Sequence, residues 1–241
     1  MTEAQTDPKY YDVVEATWPC LRCEKLGDIT LRVGAGGGSR VSAATCDALV
    51  SDAQIAQAEA AMQDFDQPRL FMIRDGQDAL DGQLERLGYA VMDPVALWTV
   101  APSMLTDVEI PRVTTFCLWE PLAIQREIWA TGGIGPERLA IMERATRPKT
   151  SILGRWDDKP AGAAFVGMHE GIAMLHALEI LPHQRRKGMG VWMMRQAAYW
   201  AAEQGATELA VLCTRANAGA NALYARLGMQ QAGGYHYRIK R

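Results

Sequence analysis

The side chains best suited to chemistry in this chain gather in one short run, Arg185-Arg186-Lys187-Gly188-Met189-Gly190. The two glycines let backbone amides approach a bound group closely, and the three cations raise the local potential. Upstream lies an apolar, strand-like run, Ile172 to Ile180, closed by Pro182. Downstream, Val191, Met194, Ala198 and Ala201 fall on one face of a helix that Gly205 would stop. A strand, a basic glycine turn and a helix N-terminus form a cradle for an anion, because free amides and the helix dipole point at one spot. The chemistry predicted is the holding of a phosphate-bearing cofactor. No Gly-Lys-Ser/Thr follows the turn, so neither the lysine for a γ-phosphate nor the hydroxyl for Mg²⁺ is supplied. That disfavours a P-loop nucleotide protein.

Two further clusters attract attention and lose it on context. Among five cysteines (Cys20, Cys23, Cys46, Cys117 and Cys213), only Cys20-Leu21-Arg22-Cys23 has metal-like spacing. No second Cys/Cys or Cys/His pair completes four ligands, so no metal is expected and the thiols are read as reduced. Gly34-Ala35-Gly36-Gly37-Gly38 has the look of a dinucleotide fingerprint. The following Ser39-Arg40-Val41-Ser42 reads as a strand rather than a helix, so the run is expected to be a hairpin turn between Ile29–Val33 and Val41.

After the cradle helix a second strand, Glu208 to Cys213, precedes Asn217-Ala218-Gly219-Ala220-Asn221-Ala222-Leu223-Tyr224-Ala225-Arg226-Leu227-Gly228-Met229. This order resembles the GNAT superfamily of acyl-CoA-dependent N-acetyltransferases. The family motif Arg/Gln-x-x-Gly-x-Gly/Ala is matched by Arg185, Gly188 and Gly190. Its N…A…LY…LG pattern is matched by Asn217, Ala222, Leu223, Tyr224, Leu227 and Gly228. The resemblance covers roughly residues 150–240 and thins upstream. It implies an α/β, GNAT-like acyl-CoA N-acyltransferase fold, with a mixed, mostly antiparallel sheet flanked by helices. One parallel strand pair is expected around the cradle helix. It also implies acetyl-CoA as cofactor. Arg185, Arg186, Lys187, Gly188, Met189 and Gly190 would hold the pyrophosphate, and Leu178, Ile180, Asn217 and Tyr224 would border the arm where two strands splay apart.

Moving an acetyl group from a thioester to an amine requires positioning and proton handling. An ammonium is not a nucleophile, and a departing thiolate is better protonated. The resemblance gives Tyr224 the part of the acid, on a helix whose start at Asn217 would aim the hydroxyl at the sulfur. Asn217 reads as the helix N-cap and could also lie near the pantetheine arm. For the base there are three alternatives: Glu179, His176, or a water chain serving an amine already unprotonated. At strand spacing Glu179 and His176 point to opposite faces unless a bulge intervenes. The expected activity is acetyl transfer from acetyl-CoA to a primary amine by direct attack in a ternary complex. The alternative is a non-catalytic acyl-CoA-binding regulatory protein, against which Tyr224 argues.

The elements upstream must position this machinery. A short helix over 9–18 ends at Pro19; Ser51-Asp52 cap a helix through Ala53–Gln63; Leu70–Ile73, Gln77–Leu87 and Val95–Val100 read as strand, helix and strand. That order recurs 140 residues later, Leu70–Val100 against Ala210–Lys240, with Arg86-Leu87-Gly88 repeated as Arg226-Leu227-Gly228. We read an internal repeat in a tandem arrangement: 1–103 a degenerate GNAT-like half and 104–241 the catalytic domain. Two unrelated α/β segments sharing a chance tripeptide are the other reading. In the first half Leu84 stands where Tyr224 does, and residues 45–50 stand in place of the cradle, so its chemistry is missing. In the second half, Pro121–Ala130 and Glu137–Ala145 read as helices around a glycine-rich loop. The resemblance implies that these helices border the acceptor, so Trp119, Trp129 and the loop 131–136 are candidates to touch it, or else are core aromatics and a connector.

Composition bounds the rest. With 241 residues, 49% hydrophobic and 22% charged, the chain can build one large domain or two small ones. A net charge of −3 gives no ground for broad nucleic-acid or anionic-membrane binding. No apolar run approaches a membrane span, and Met1 to Pro8 carries neither the basic nor the apolar part of a secretory leader. The expected setting is cytoplasmic, with a small-molecule or peptide amine as partner, no nucleic acid, no membrane, and a homodimer left open.

Overall fold

The computed structural model describes residues 5–241, so the reading of Met1–Pro8 lies in part outside the described residues. Helix α1 (Lys9–Thr17) stops just ahead of Pro19 and buries Tyr10, Tyr11, Val13 and Val14. Strands β1 (Arg22–Leu26) and β2 (Ile29–Val33) form a hairpin, and β3 (Thr45–Cys46) joins β2 to complete a small three-stranded sheet. Between β2 and β3 the expected strand is absent: Ser39–Ser42 is one helical turn, α2, entered from Gly38. Packing decides this. A Cβ on Gly34 would lie 2.1 Å from Ser42 Oγ, and one on Gly37 would lie 2.5 Å from Ile141 Cδ1. The bare backbone thus folds back on itself and drives Val41 into a core with Trp129, Ile141 and Phe165. Tertiary burial overrides the local strand signal.

Helix α3 (Asp52–Asp64) starts on the Ser51–Gln54 capping box, as its sequence requires. Then come β4 (Arg69–Arg74), α4 (Asp78–Arg86), β5 (Ala90–Val100), β6 (Thr115–Leu118), α5 (Ala123–Thr131) and α6 (Pro136–Arg144). The chain continues through β7 (Lys149–Trp156), β8 (Lys159–His169), β9 (Ile172–Ile180), α7 (Met189–Glu203), β10 (Glu208–Thr214), α8 (Ala218–Arg226) and β11 (Gln230–Lys240). The main sheet runs β4-β11-β5-β10-β9-β8-β7-β6 among the described residues. Its pairs are antiparallel except β10 with β9, the parallel pair around α7.

Two faces carry two cores. On one, Met189, Met193, Met194 and Ala197 of α7 pack on Val166, Ala173, Leu175 and Val211. On the other, α5 and α6 bury Ile128, Trp129 and Ile141 against Leu153, Ala163 and Phe165. On that same side, Tyr10, Val13 and Val14 of α1 cover Ile172, Met174 and Ala210.

The 140-residue offset is followed by the elements. Helix α8 starts and ends 140 residues after α4 (218 against 78, 226 against 86), and β11 stands likewise to β5 (230 against 90, 240 against 100). The final strands are exchanged: β4 pairs with β11, β10 pairs with β5, and β5 and β11 pair with each other at the centre. Two side-chain clamps cross this centre. Asp81 of α4 receives both Arg238 Nε (2.7 Å) and Nη2 (2.8 Å) and meets His236 at 2.7 Å, which holds its carboxyl down at about 2. Trp98 of β5 donates its indole N–H to Asn221 Oδ1 at 2.9 Å, tying α8 to the first half of the chain.

Candidate active site

Strands β9 and β10 run in register from Ile172↔Glu208 to Leu175↔Val211 and then part. Beyond that point β10 continues only against β5, through Leu212↔Leu97 to Thr214↔Val95, and β9 only against β8. Two strands therefore border a gap that begins at His176, across which β9 and β10 make no ladder pair among the described residues.

A bulge sits at that point. Between Phe165↔His176 and Ala163↔Glu179, β9 runs three residues against two on β8, and Ala177 takes a φ of 51°. The extra residue reverses the alternation. Ala173, Leu175, Leu178 and Ile180 contribute to the α7-side core, whereas Ala177 joins the core under α5. His176 stacks on Trp18 at 4.9 Å on that second side, and a Cβ on Gly132 would lie 2.5 Å from Glu179 Oε2. His176 and Glu179 thus share one face, the condition the strand spacing left open. Trp129 is fully buried and donates its indole N–H to Ala177 O at 2.8 Å, so it pins the bulge and is closed to an acceptor. Trp119 is partly buried against the same core. Of the loop candidates, Gly132 is the one that closes over a site carboxylate.

The basic turn has an open front. Arg186 (φ 65°) and Gly188 (φ 85°) take the left-handed conformation that turns the chain into α7. No amide from Arg186 to Gly190 donates to another protein group among the described residues. A Cβ on Gly188 would meet nothing within 4 Å. One on Gly190 would lie 3.0 Å from Leu223 Cδ2, so this glycine lets α8 approach the first turn of α7. Arg185 donates to Ile180 O at 2.9 Å and to Glu179 Oε1 at 3.0 Å, and Lys187 donates to Gln184 Oε1 at 3.0 Å. Those two cations shape the turn, while Arg186 stands exposed. Free amides, a helix N-terminus and open space suit a pyrophosphate.

Asn217 caps α8, its Oδ1 accepting from Ala220 N at 3.1 Å. Tyr224, about two turns further, is 3% exposed, and its hydroxyl makes no hydrogen bond among the described residues. Burial, with a smaller push from Cys213, holds the phenol above its ordinary value, so it keeps its proton. Asn221 ties the helix start down, donating to Thr214 O at 2.9 Å and Asn217 O at 2.8 Å. Sequence reasoning passed over Asn221 although it lies inside the α8 motif.

His176 is engaged at both nitrogens. Arg40 can only donate, so it donates to Nδ1 at 3.1 Å; Nε2–H then faces Thr17 Oγ1 at 2.8 Å, and that hydroxyl donates to Val13 O at 2.6 Å. The tautomer follows from this network. Burial, and secondarily the Arg40 charge, push the imidazole well below its usual range. Arg40, Thr17 and Trp18 are neighbours that no motif announces. The Cys20 and Cys23 sulfurs stand 2.7 Å apart as thiols, and no third His, Cys, Asp or Glu joins them in a metal-binding group among the described residues.

The sequence profile of the Acetyltransferase (GNAT) family matches residues 119–229, a span that contains the cradle, the bulge and α8. A curated relative, the uncharacterized N-acetyltransferase YobR of Bacillus subtilis (strain 168), is 26% identical over 236 residues, covering 94% of this chain and 95% of its own. Among solved structures, a GCN5-related N-acetyltransferase from Kribbella flavida superposes with a TM-score of 0.72 at 17% identity, over 96% of this chain and 94% of its own. A tandem GNAT protein from the clavulanic acid biosynthesis pathway does so with a TM-score of 0.58 at 11% identity, over 82% and 74%. These two likenesses speak to the fold. With the motif residues assembled around one strand gap, residues 119–229 match the Acetyltransferase (GNAT) family, and over nearly its whole length the chain is similar to an N-acetyltransferase and shares the fold of GNAT proteins.

Proposed function

We propose that the protein transfers an acetyl group from acetyl-CoA to a primary amine by direct attack in a ternary complex. Residues 104–241 would be the catalytic domain and 1–103 a degenerate GNAT-like half that lends β4 and β5 to the shared sheet. The observation that carries this reading is the row of amides over 186–190 with no partner among the described residues, set after the end of β9 beside the gap between β9 and β10.

In this reading the amides of 186–190, with Arg186, hold the pyrophosphate. Leu178 and Ile180, at the end of β9 past its last pair with β10, border the arm. The bound acyl-CoA supplies an activated acyl carbon. Glu179, aimed at the Gly132 loop, takes the proton of the amine directly or through water; His176 has its one lone pair occupied by Arg40 and serves as scaffold. Tyr224, kept neutral by burial, gives its proton to the departing thiolate. The acceptor is a small-molecule or peptide amine, and the working compartment is the cytoplasm. No helix among the described residues is long and apolar enough to cross a membrane.

A panel of amines with acetyl-CoA, read by thiol release and by mass of the product, tests the proposal. Amine-dependent thiol release with an N-acetylated product is the expected result. Tight acetyl-CoA binding with no release across the panel would instead favour the regulatory reading.

A further inference from the structure

A cavity of about 260 Å³ opens on the α1 face of the sheet, between α1, β2, α2, β4 and β11. Four arginines line it, Arg22, Arg32, Arg40 and Arg74, against a single lining carboxylate, Glu15. Glu15 is shared by Arg32 and by Arg74 (3.3 Å), and Arg22 pairs at 2.8 Å with Glu24 outside the lining. Arg40 has no carboxylate partner among the described residues. Its guanidinium donates to Tyr235 Oη at 3.3 Å and to the neutral His176 at 3.1 Å. Four cations therefore meet two carboxylates. The surplus sits in a recess with aromatic walls, where a charge without a counter-ion is costly and an arriving anion is strongly favoured.

The position of this recess relates it to the gap. His176 is the first β9 residue past the last β9/β10 pair, and it separates the gap from Arg40. The cradle and α7 occupy the opposite face. A group bound at the cradle leaves the α1 face as the approach for the second reactant.

We infer that the cavity holds the anionic end of the acceptor, which is a primary amine carrying a carboxylate. This rests on the acetyl-transfer reading above. A carboxylate matches the planar fork of a guanidinium, and the volume suits a molecule of amino-acid size.

The test uses the full chain and acetyl-CoA with glycine, β-alanine, 4-aminobutanoate and 6-aminohexanoate, each beside its carboxamide, together with propylamine and a lysine peptide. At least one acid should exceed its amide in kcat/KM by on the order of 10- to 100-fold, the worth of a hydrogen bond to a charged group. In Arg74→Gln, and separately in Arg40→Gln, that acid-to-amide ratio should fall towards one, chiefly through the acceptor KM, with the KM for acetyl-CoA unmoved. Equal rates for every acid and its amide in the wild type would overturn the inference, and this comparison needs no variant to fold. Turnover confined to propylamine or the peptide would do the same while leaving acetyl transfer standing. Thiol release from none of the amines would remove both.

Discussion

Replacing Tyr224 by Phe removes one oxygen and leaves the ring. That ring is 3% exposed in the α7-side core, 6.4 Å from the ring of Trp98. Its hydroxyl has no protein partner among the described residues, so folding should change by less than about 1 kcal/mol. Tyr224→Ala would instead empty a packed site at about 3–5 kcal/mol, confounding rate with stability. For turnover the expectation is different. A general acid contributes on the order of 10²–10⁴-fold, or about 2.7–5.4 kcal/mol of barrier. The low end applies here, because a thiolate leaves well and water can substitute in part. Burial raises the phenol above its usual range, so its own ionisation should not shape the rate profile at neutral pH. The assay is single-turnover thiol release, with acetyl-CoA affinity by calorimetry and a thermal melt on the same preparation. The mutant should melt and bind like the wild type and turn over roughly a hundredfold slower. An unchanged single-turnover rate would refute the acid role, and an equal loss in affinity would reassign Tyr224 to packing over the cofactor.

Gly188→Glu should abolish acetyl-CoA binding, since a carboxylate would enter the space where the added Cβ meets nothing within 4 Å; Gly188→Ala should carry only the strain of a φ of 85°, about 1–2 kcal/mol by chemical unfolding. A Glu variant that binds acetyl-CoA as the wild type does would remove the cradle. Asp81→Ala removes both short bonds to Arg238, 6% exposed, and leaves it only the exposed Glu85 at 3.8 Å, so it should cost about 2–4 kcal/mol in urea unfolding; a loss under 1 kcal/mol would show the clamp to be ornamental. Because the Asp81 carboxyl is held at about 2, below its unfolded value, its contribution is present above about pH 4 and lost as pH falls towards 2. The acid limb of the wild-type stability curve should therefore be steeper than that of Asp81→Asn. Ala177→Val, at a φ of 51°, should destabilise by about 1–3 kcal/mol while Ala177→Gly does not, and equal melts would deny that the bulge needs that conformation.

What the linear chain determined was local. The run from Ile172 to Ile180, ended by Pro182, is β9 to the residue; Asn217 does cap α8; Ser51 does cap α3, which begins at Asp52. Strand alternation, caps and breakers act within a few residues, so they can be read without the fold. The 140-residue recurrence of strand, helix, glycine and strand was legible for the same reason, although the letters hardly repeat. Other features turned on contacts between distant residues. Ser39–Ser42 carries a strand-like signal and becomes a helical turn because Gly34 and Gly37 let Val41 reach the Trp129 core. Whether His176 and Glu179 share a face depended on one extra residue at Ala177, stabilised by the indole of Trp129 from 48 residues upstream. The exchange of final strands could not be seen in either half alone, because an edge does not specify which partner will pair with it. The arginine-lined recess is the clearest case. Arg22, Arg32, Arg40 and Arg74 lie in four separate segments with no common motif, and only the packing of α1 over the sheet beside α2 and β4 brings their charges to one place. A charge cluster of that kind is a property of three-dimensional distance, which the order of residues along a chain does not contain.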